Sequence, residues 1–597
     1  MNAAARTDTD PAALALAEGF ALQVRRWSMH SGADAATAAS AQAAARALCL
    51  ALADGHVCLP LSALAEAPSA AQLRASGVVG SAAAPGPQPL VLDDEGRLYL
   101  QRHFDYERRL ARRLQQAAAA PPAEIGPAAR QQLQDLFAPG SDGVDWQRLA
   151  VALALRRRLV VISGGPGTGK TTTVVNLIAC VLAQQPAARI ALAAPTGKAA
   201  ARMSEALRQR AAHLPPALRE RMPAEASTVH RLLGAGPNGF RHDARHPLPI
   251  DLLVVDEASM LDLALATRLL EAVPEPARLV LLGDKDQLAA VESGAVFAEL
   301  SADPALDAAT TAALAPLCGV AAQALRPPAV TPPGALPDTV VWLSRNFRFG
   351  ADSGIAQAAA LVRQGQAEAL LSRLRQPGDG SVQWLDDGEA TPSAATRQAL
   401  RDGFEPYFHA LQQAGNDPAA LHRVFERFRV LCALRDGPRG VRALNEWLAE
   451  QARQQLGEAG ATPWFRGRPV MVLRNDPLLK LFNGDIGIAL PGPAGEWLLQ
   501  FADPAGGYRA LPAARLPAHE TAFAMSVHKA QGSEFDALMV LLPAQPSRVL
   551  TRELLYTALT RGRQRVLLAA PAARLAEAVQ APTERHSGLQ ARLREAG

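Results

Sequence analysis

At 597 residues the chain is too long for one ordinary domain, and about three to five are expected. Its 49% hydrophobic and 20% charged residues describe a soluble protein: apolar runs are broken too often for a membrane span, and the start, MNAAARTDTDPAALALAEGF, lacks the basic flank of a secretion signal. A net charge of +4 does not mark a nucleic-acid binder by itself, and five scattered cysteines without a CxxC pair argue against structural zinc or disulfides and for a reducing cytoplasm.

In chain order, about the first 120 residues are alanine-rich and amphipathic and predict helices, closing in the low-complexity linker AAAAPPAEIGPAA. From about residue 145 short, nearly unbroken apolar runs follow: LVVIS (159–163), RIALAA (189–194), LLVVD (252–256) and RLVLL (278–282). Such strands alternating with helices predict a parallel sheet covered on both faces. A Pro/Ala-rich stretch, roughly 302–338, reads as a connection between domains. A second α/β set is expected in VVWL (340–343), FRVLCAL (428–434), ALMVLL (537–542) and RVLLAA (565–570). Within it, about 465–518, strand-like RPVMVL, IGIAL and EWLLQF separated by NDP, NGD and PAGG turns predict a small antiparallel barrel.

The chemistry is carried by local motifs. GGPGTGKT (164–171) lies between the strand LVVIS and a helix-like run. Its backbone N–H groups, from Gly164, Gly165, Pro166, Gly167, Thr168 and Gly169 onward to Thr172, suit a nucleotide's β-phosphate at a helix N-terminus, proline lending conformation only. Lys170 is placed for the β/γ-phosphates and Thr171 for Mg²⁺. In VVDEASM, Asp256 closes a buried-type strand and can hold Mg²⁺ through water, while Glu257 can polarise the attacking water. In LLGDKDQLAAVESG, Gln287 is a candidate γ-phosphate sensor, and Asp284 and Asp286 read equally as loop caps. Of 61 basic residues only five are lysine, and four of them (Lys170, Lys198, Lys285, Lys529) fall inside such motifs, where a compact ammonium is wanted.

These segments, with APTGKAA (194–200), STVHRLLG (227–234), LSRNFRF (343–349), SVHKAQGSEFD (526–536) and YTALTRGR (556–563), resemble superfamily 1 helicases in order and content. RNFRFG, VHKAQGSEFD and YTALTRGR are similar to the 5′-to-3′ branch. GHVCLPL (55–61), LLGAGPNGFRHDARHPL (232–248), LCALRDGPRGVRALN (431–445) and GRPVMVLRNDPLLKLFNGDIGIAL (467–490) resemble the RecD family, the α subunits of exodeoxyribonuclease V.

The resemblance implies α/β architecture with two RecA-like P-loop domains, a helical N-terminal domain and an SH3-like β-barrel insertion. Its expected boundaries are a partner-docking domain over 1–125, a first RecA-like domain over 128–305 with a hairpin at 234–248, a connector at 306–338, a second RecA-like domain over 339–575 with its insertion at 465–518, and a tail at 576–597. It implies ATP and Mg²⁺ as ligands, Gln147 on the adenine edge, Arg348 and Arg561 reaching the γ-phosphate, and Glu534 on the ribose. Thr196, Lys198, His230, Ser526, His528 and Lys529 match segments lining a DNA strand, although Thr196 also reads as a helix cap and His230 as a core histidine. The PNGFRHDARHPL turn is similar to a duplex-splitting hairpin, or is a plain surface hairpin. The implied partners are single-stranded and duplex-end DNA with RecB-like and RecC-like subunits in the cytoplasm, away from membranes. No carboxylate-and-lysine nuclease cluster is found, so nuclease activity is expected from another subunit. A free-standing helicase and an ATP-regulated scaffold are the rival readings.

Overall fold

The computed structural model describes residues 11–595 except 65, 138–142, 213, 291, 328–329, 331–332, 351–352, 377, 414, 459–461, 477 and 504–505. Two parallel sheets organise it. The first has six strands in the spatial order Val340–Leu343, Leu159–Gly164, Arg278–Gly283, Leu252–Val255, Ile190–Ala194, Ser227–Thr228. All its pairings are parallel. Every residue of Leu159–Gly164 and of Leu252–Val255 is buried, which is why these segments are unbroken apolar runs and not alternating ones. Helices Trp146–Arg156 and Lys170–Gln184 cover one face and share its core with Val160, Ile162, Val254 and Leu282.

The second sheet has five parallel strands in the order Val382–Leu385, Gly562–Ala569, Phe535–Leu541, Phe428–Cys432, Ala524–Ser526. Into its chain path is inserted a five-stranded antiparallel sheet, Pro469–Val472 to His519–Thr521, ordered 508–512, 497–502, 486–491, 469–472, 519–521.

Several expectations are corrected. VVWL does not open the second sheet: Val340–Leu343 is the edge of the first, paired with Val161–Gly164. An apolar tetrapeptide names a strand but not its sheet. The 302–338 stretch is not a bare connector over its described residues, because helix Ala308–Cys318 buries Leu314, Ala315 and Cys318 in the first sheet's core. Two second-sheet strands, Val382–Leu385 and Ala524–Ser526, are half-polar or very short and went unread. The N-terminal region has the expected helices, Pro11–His30 and Ala35–Ala53, and also a four-stranded sheet of two- to four-residue strands.

Ala35–Ala53 is long and apolar enough to cross a membrane. Asp34 caps it, accepting from Thr37 N, and Ala38, Ala41, Ala44, Ala45 and Leu48 are buried in the protein instead. Helix Gln101–Ala118 lies directly on the first α/β unit, with Leu110 in an apolar pocket formed with Ala258, Leu261, Leu270 and Phe297. The residues expected as a tail are packed as well: Leu589 and Leu593 of helix Leu589–Glu595 belong to that same core.

Candidate active site and strand path

The phosphate loop leaves the first sheet at Gly164 and enters helix Lys170–Gln184. Gly167 and Gly169 have φ of 83° and 81°, a left-handed conformation that side chains rarely adopt. A Cβ at Gly169 would run into the Gln147 amide, and one at Gly167 into Arg348 and Asn346. Lys170 Nζ donates to the Gly164 and Gly165 carbonyls at 2.6 and 3.3 Å, so the ammonium folds back over the loop. Gln147, on a helix capped by Asp145, donates to the Thr168 carbonyl at 2.9 Å. Thr171 is half-buried at the helix start, while Thr172 accepts from Arg210 at 2.7 Å.

Asp256 leaves the end of strand Leu252–Val255, and its Oδ1 accepts from Glu257 N at 2.9 Å. Burial, with the charge of Glu257 beside it, pushes the Asp256 carboxyl up, opposed by Lys170. Glu257 sits at φ 52°, a strained position for a side-chain-bearing residue. A cation here would add to the positive charge that Lys170 brings to the two carboxylates. The donors present, one carboxylate and the Thr171 hydroxyl, are oxygen ligands that suit Mg²⁺ completed by phosphate and water. Among the described residues no cluster of three or more His, Cys, Asp or Glu offers a protein-only cage.

Three segments of the second α/β unit and its approach close over this loop. Asn346 Nδ2 donates to the Pro166 carbonyl at 2.9 Å, and Phe347 N to the Gly167 carbonyl at 2.7 Å. Arg348 pairs with Glu534 at 2.5 Å, and its Nη1 is buried without a partner. Tyr556 Oη donates to Asp284 at 3.1 Å, Thr557 Oγ1 accepts from Leu288 N at 2.9 Å, and Gln531 donates to the Leu288 carbonyl at 2.8 Å. Asp284 also accepts from Gln287 at 2.9 Å, so the candidate sensor is oriented by the residue that receives Tyr556. Asp284 does make loop bonds, as its capping alternative required, but it is a joint of the cleft too.

Glu534 is the counter-ion of Arg202 (3.1 Å), Arg348 (2.5 Å) and Arg563 (3.1 Å). Burial alone would raise this carboxyl, but the arginines, Arg202 foremost, overcome it and hold it down to about 2. Arg561 is buried and donates to the Thr557 and Ser533 carbonyls at 3.3 and 3.2 Å. The arginines outnumber the carboxylate in one half-enclosed place, an arrangement suited to a polyanion.

Of the strand-path candidates, Thr196 is the cap of helix Gly197–Ala211, accepting from Ala199 N at 3.2 Å. Lys198 follows it, and the Arg202 guanidinium one turn on bonds the Gly532 carbonyl across the cleft. Lys529 N donates to Ser526 Oγ at 3.3 Å and Lys529 Nζ to Asn483 at 2.6 Å. Burial lowers the His528 and Lys529 pKa values. Phe482, from the antiparallel insertion, packs on Gly197 while its neighbour Asn483 holds Lys529, so the insertion joins these two segments. His230 is exposed and its ring lies 5.9 Å from Phe240, in the two-stranded hairpin Ala235–Gly236/Gly239–Phe240. Sequence reasoning singled out neither Arg202, Asn346, Phe347, Gln531, Tyr556 nor Thr557. All but Arg202 stand inside the quoted motifs, so the motifs themselves were the available signal. Phe347 is 58% exposed beside the phosphate loop and offers a flat face to a base.

Residues 147–293 match the AAA domain family model, and residues 521–569 match the UvrD-like helicase C-terminal domain. RecBCD enzyme subunit RecD of Mycobacterium tuberculosis is 40% identical over 86% of this chain and 82% of that protein. The Haemophilus influenzae protein of the same name is 34% identical over 77% of this chain and 74% of its own length. The ATP-dependent RecD2 DNA helicase of Deinococcus radiodurans is 33% identical over 80% of this chain, which spans 56% of that longer protein.

Proposed function

The chain belongs to the RecD family and is an ATP-dependent DNA helicase, and from that premise we propose that it is the 5′-to-3′ motor of a RecBCD-type complex acting at double-strand ends. One observation carries the motor reading. The Asn346–Arg348 segment and the Tyr556–Arg561 segment meet the phosphate loop and the Asp284–Leu288 loop across a single cleft. ATP bound there would replace part of these contacts, so its arrival and hydrolysis change the distance between two α/β units.

In this reading Gln147 and Phe347 hold the adenine, and Lys170 with the loop amides holds the β/γ-phosphates. Asp256 and Thr171 hold Mg²⁺, whose part is to neutralise phosphate charge and orient it for in-line attack. Glu257 orients the water, Gln287 contacts the γ-phosphate, and Arg348 and Arg561 meet the charge that develops on it. Arg348 must leave Glu534 to do so, and Arg202 remains as that carboxylate's partner. Thr196, Lys198, Ser526, His528 and Lys529 grip phosphates of one strand, alternately on either side of the cleft, and His230 belongs with the hairpin at the duplex junction. The antiparallel insertion is an SH3-like unit placed over that track.

The RecB-like and RecC-like partners are part of this proposal, as are the cytoplasmic location and a nuclease carried by another subunit. The N-terminal helices are the docking element. Five of the eight exposed large hydrophobic side chains among the described residues (Leu14, Leu16, Leu22, Trp27, Met29) lie on helix Pro11–His30. A free-standing helicase is the second reading, and identity and coverage both rank it lower. The test of the nucleotide site is Lys170→Gln. It should abolish turnover stimulated by single-stranded DNA, at least about a hundredfold in kcat, with unchanged circular dichroism. Near-normal turnover in a folded variant would refute the assignment.

A further inference from the structure

Residues 581–588 run without helix or strand between helix Ala572–Gln580, on the second α/β unit, and helix Leu589–Glu595, on the first. Successive residues of this strap are tied to different parts of the machine. Thr583 N and Oγ1 donate to Glu553 Oε2 at 2.7 and 2.6 Å. Glu553 stands on helix Arg552–Leu559, which carries Tyr556 and Thr557 and leads into Arg561. His586 N donates to His56 Nδ1 at 2.9 Å, the two rings stack at 4.7 Å, and the His586 carbonyl accepts from Val57 N at 2.8 Å. Ser587 Oγ and Gly588 N donate to Glu107 at 2.7 and 2.9 Å.

Arg585 stands at the centre. Its Nη1 donates to the main-chain carbonyls of Glu292, Gly55 and Gly294 at 2.8, 3.3 and 3.4 Å. Gly55 has φ 86°, and a Cβ there would strike the guanidinium. Gly294 N in turn donates to the Gly55 carbonyl at 3.1 Å, and the Ser293 carbonyl accepts from Leu263 N at 3.2 Å. Among the described residues Arg585 is in no ion pair, and its hydrogen-bond partners are main-chain carbonyls alone. A half-buried cation without a carboxylate is an expensive way to fill space, so its worth lies in the geometry it imposes. Glu292–Gly294 ends the same connection that begins with Asp284–Leu288, where Gln287 is oriented and Tyr556 and Thr557 dock.

We propose that Arg585 is a positioning residue for ATP hydrolysis: it fixes the far end of the connection that presents Gln287, and through Gly55, His56 and Val57 it lets the N-terminal domain set the catalytic rate. The proposal rests on the ATPase reading of the cleft. It gives the strap a definite part, since Thr583 holds the helix before Arg561 while Arg585, two residues on, holds the loop of Gln287. Both groups facing the γ-phosphate are then registered against one another and against the N-terminal domain.

The experiment compares Arg585→Ala, Arg585→Lys and His56→Ala with the unmodified full-length chain in ATP turnover with a single-stranded oligonucleotide. It separates kcat from KM and records thermal unfolding of each variant. The alanine variant should lose about tenfold in kcat while KM for ATP stays within about twofold, because positioning is lost and the phosphate loop is untouched. Lysine places three donors on one nitrogen against three carbonyls and should recover most of the rate. His56→Ala, altered wholly on the N-terminal side, should lower kcat severalfold in the same direction. An unchanged kcat in Arg585→Ala overturns the proposal. So does an equal loss in the alanine and lysine variants that follows a drop in melting temperature. An unmodified chain that hydrolyses no ATP would instead refute the functional reading on which the proposal rests.

Discussion

Lys198 is half-buried at the start of helix Gly197–Ala211, and burial with the nearby Arg429 and Arg202 pulls its pKa down to about 8. A DNA phosphate favours the charged ammonium, so single-strand affinity should be full below about pH 8 and fall as pH rises through that value, by up to about tenfold per unit. Lys198→Arg stays charged throughout and should flatten the curve. Anisotropy of a labelled oligonucleotide at fixed ionic strength measures this, and equal slopes in both proteins would remove Lys198 from the strand path. At this scale the sequence was informative wherever chemistry is local. Gly167, Gly169 and Lys170 are set by spacing within one strand–loop–helix unit and Asp256 and Glu257 by the end of a neighbouring strand, and the structure brings Lys170 and Asp256 together. Arg202 was illegible because its partner Glu534 is brought to it only by the packing of two units. Glu534 itself was read as a ribose ligand, and it is found holding three arginines.

Helices and strands were read well where one period dominates and poorly where an element is short. The four strands quoted for the first sheet all belong to it, because a strand buried on both faces leaves an unbroken apolar signature. Val340–Leu343 carries the same signature and was put in the wrong sheet, since pairing partners are not written in a strand's own residues. Helix Gln101–Ala118 was read as part of a separable N-terminal domain, yet Leu110 is buried in the first unit's core, lining one apolar pocket with Ala258, next to Glu257 in sequence. A deletion of the first 120 residues therefore strips the first unit's core as well as any docking surface. Leu110→Ala should cost about 2–5 kcal/mol of unfolding free energy while leaving KM for ATP unchanged. Denaturant unfolding reads this, and a loss below about 1 kcal/mol would mean that the helix packs only loosely on the motor.

Across the whole molecule, the chain closes on itself: the last helix, Leu589–Glu595, shares a core with Tyr99, Phe104 and Leu114 near the start. Arg592 pairs with buried Asp93 at 3.0 Å, and Arg548 bonds Asp54, so both the second unit and its C-terminal extension reach the N-terminal domain. The two α/β units are thus tied to one another at the cleft and again through this third body. Such a frame suits a motor whose closing must be felt by a docked partner, and it could not be foreseen from the nucleotide-site and strand-path motifs, which all lie between residues 147 and 563. The central claim is directional unwinding driven by this cleft. It is tested most directly by assembling the chain with the proposed RecB-like and RecC-like subunits, the RecB-like motor disabled in its own phosphate loop, and offering duplexes with a 5′ or a 3′ single-stranded overhang. The expected result is ATP-dependent unwinding of the 5′-overhang substrate that disappears with Lys170→Gln. Unwinding from the 3′ overhang alone, or 5′ unwinding that survives Lys170→Gln, would contradict it.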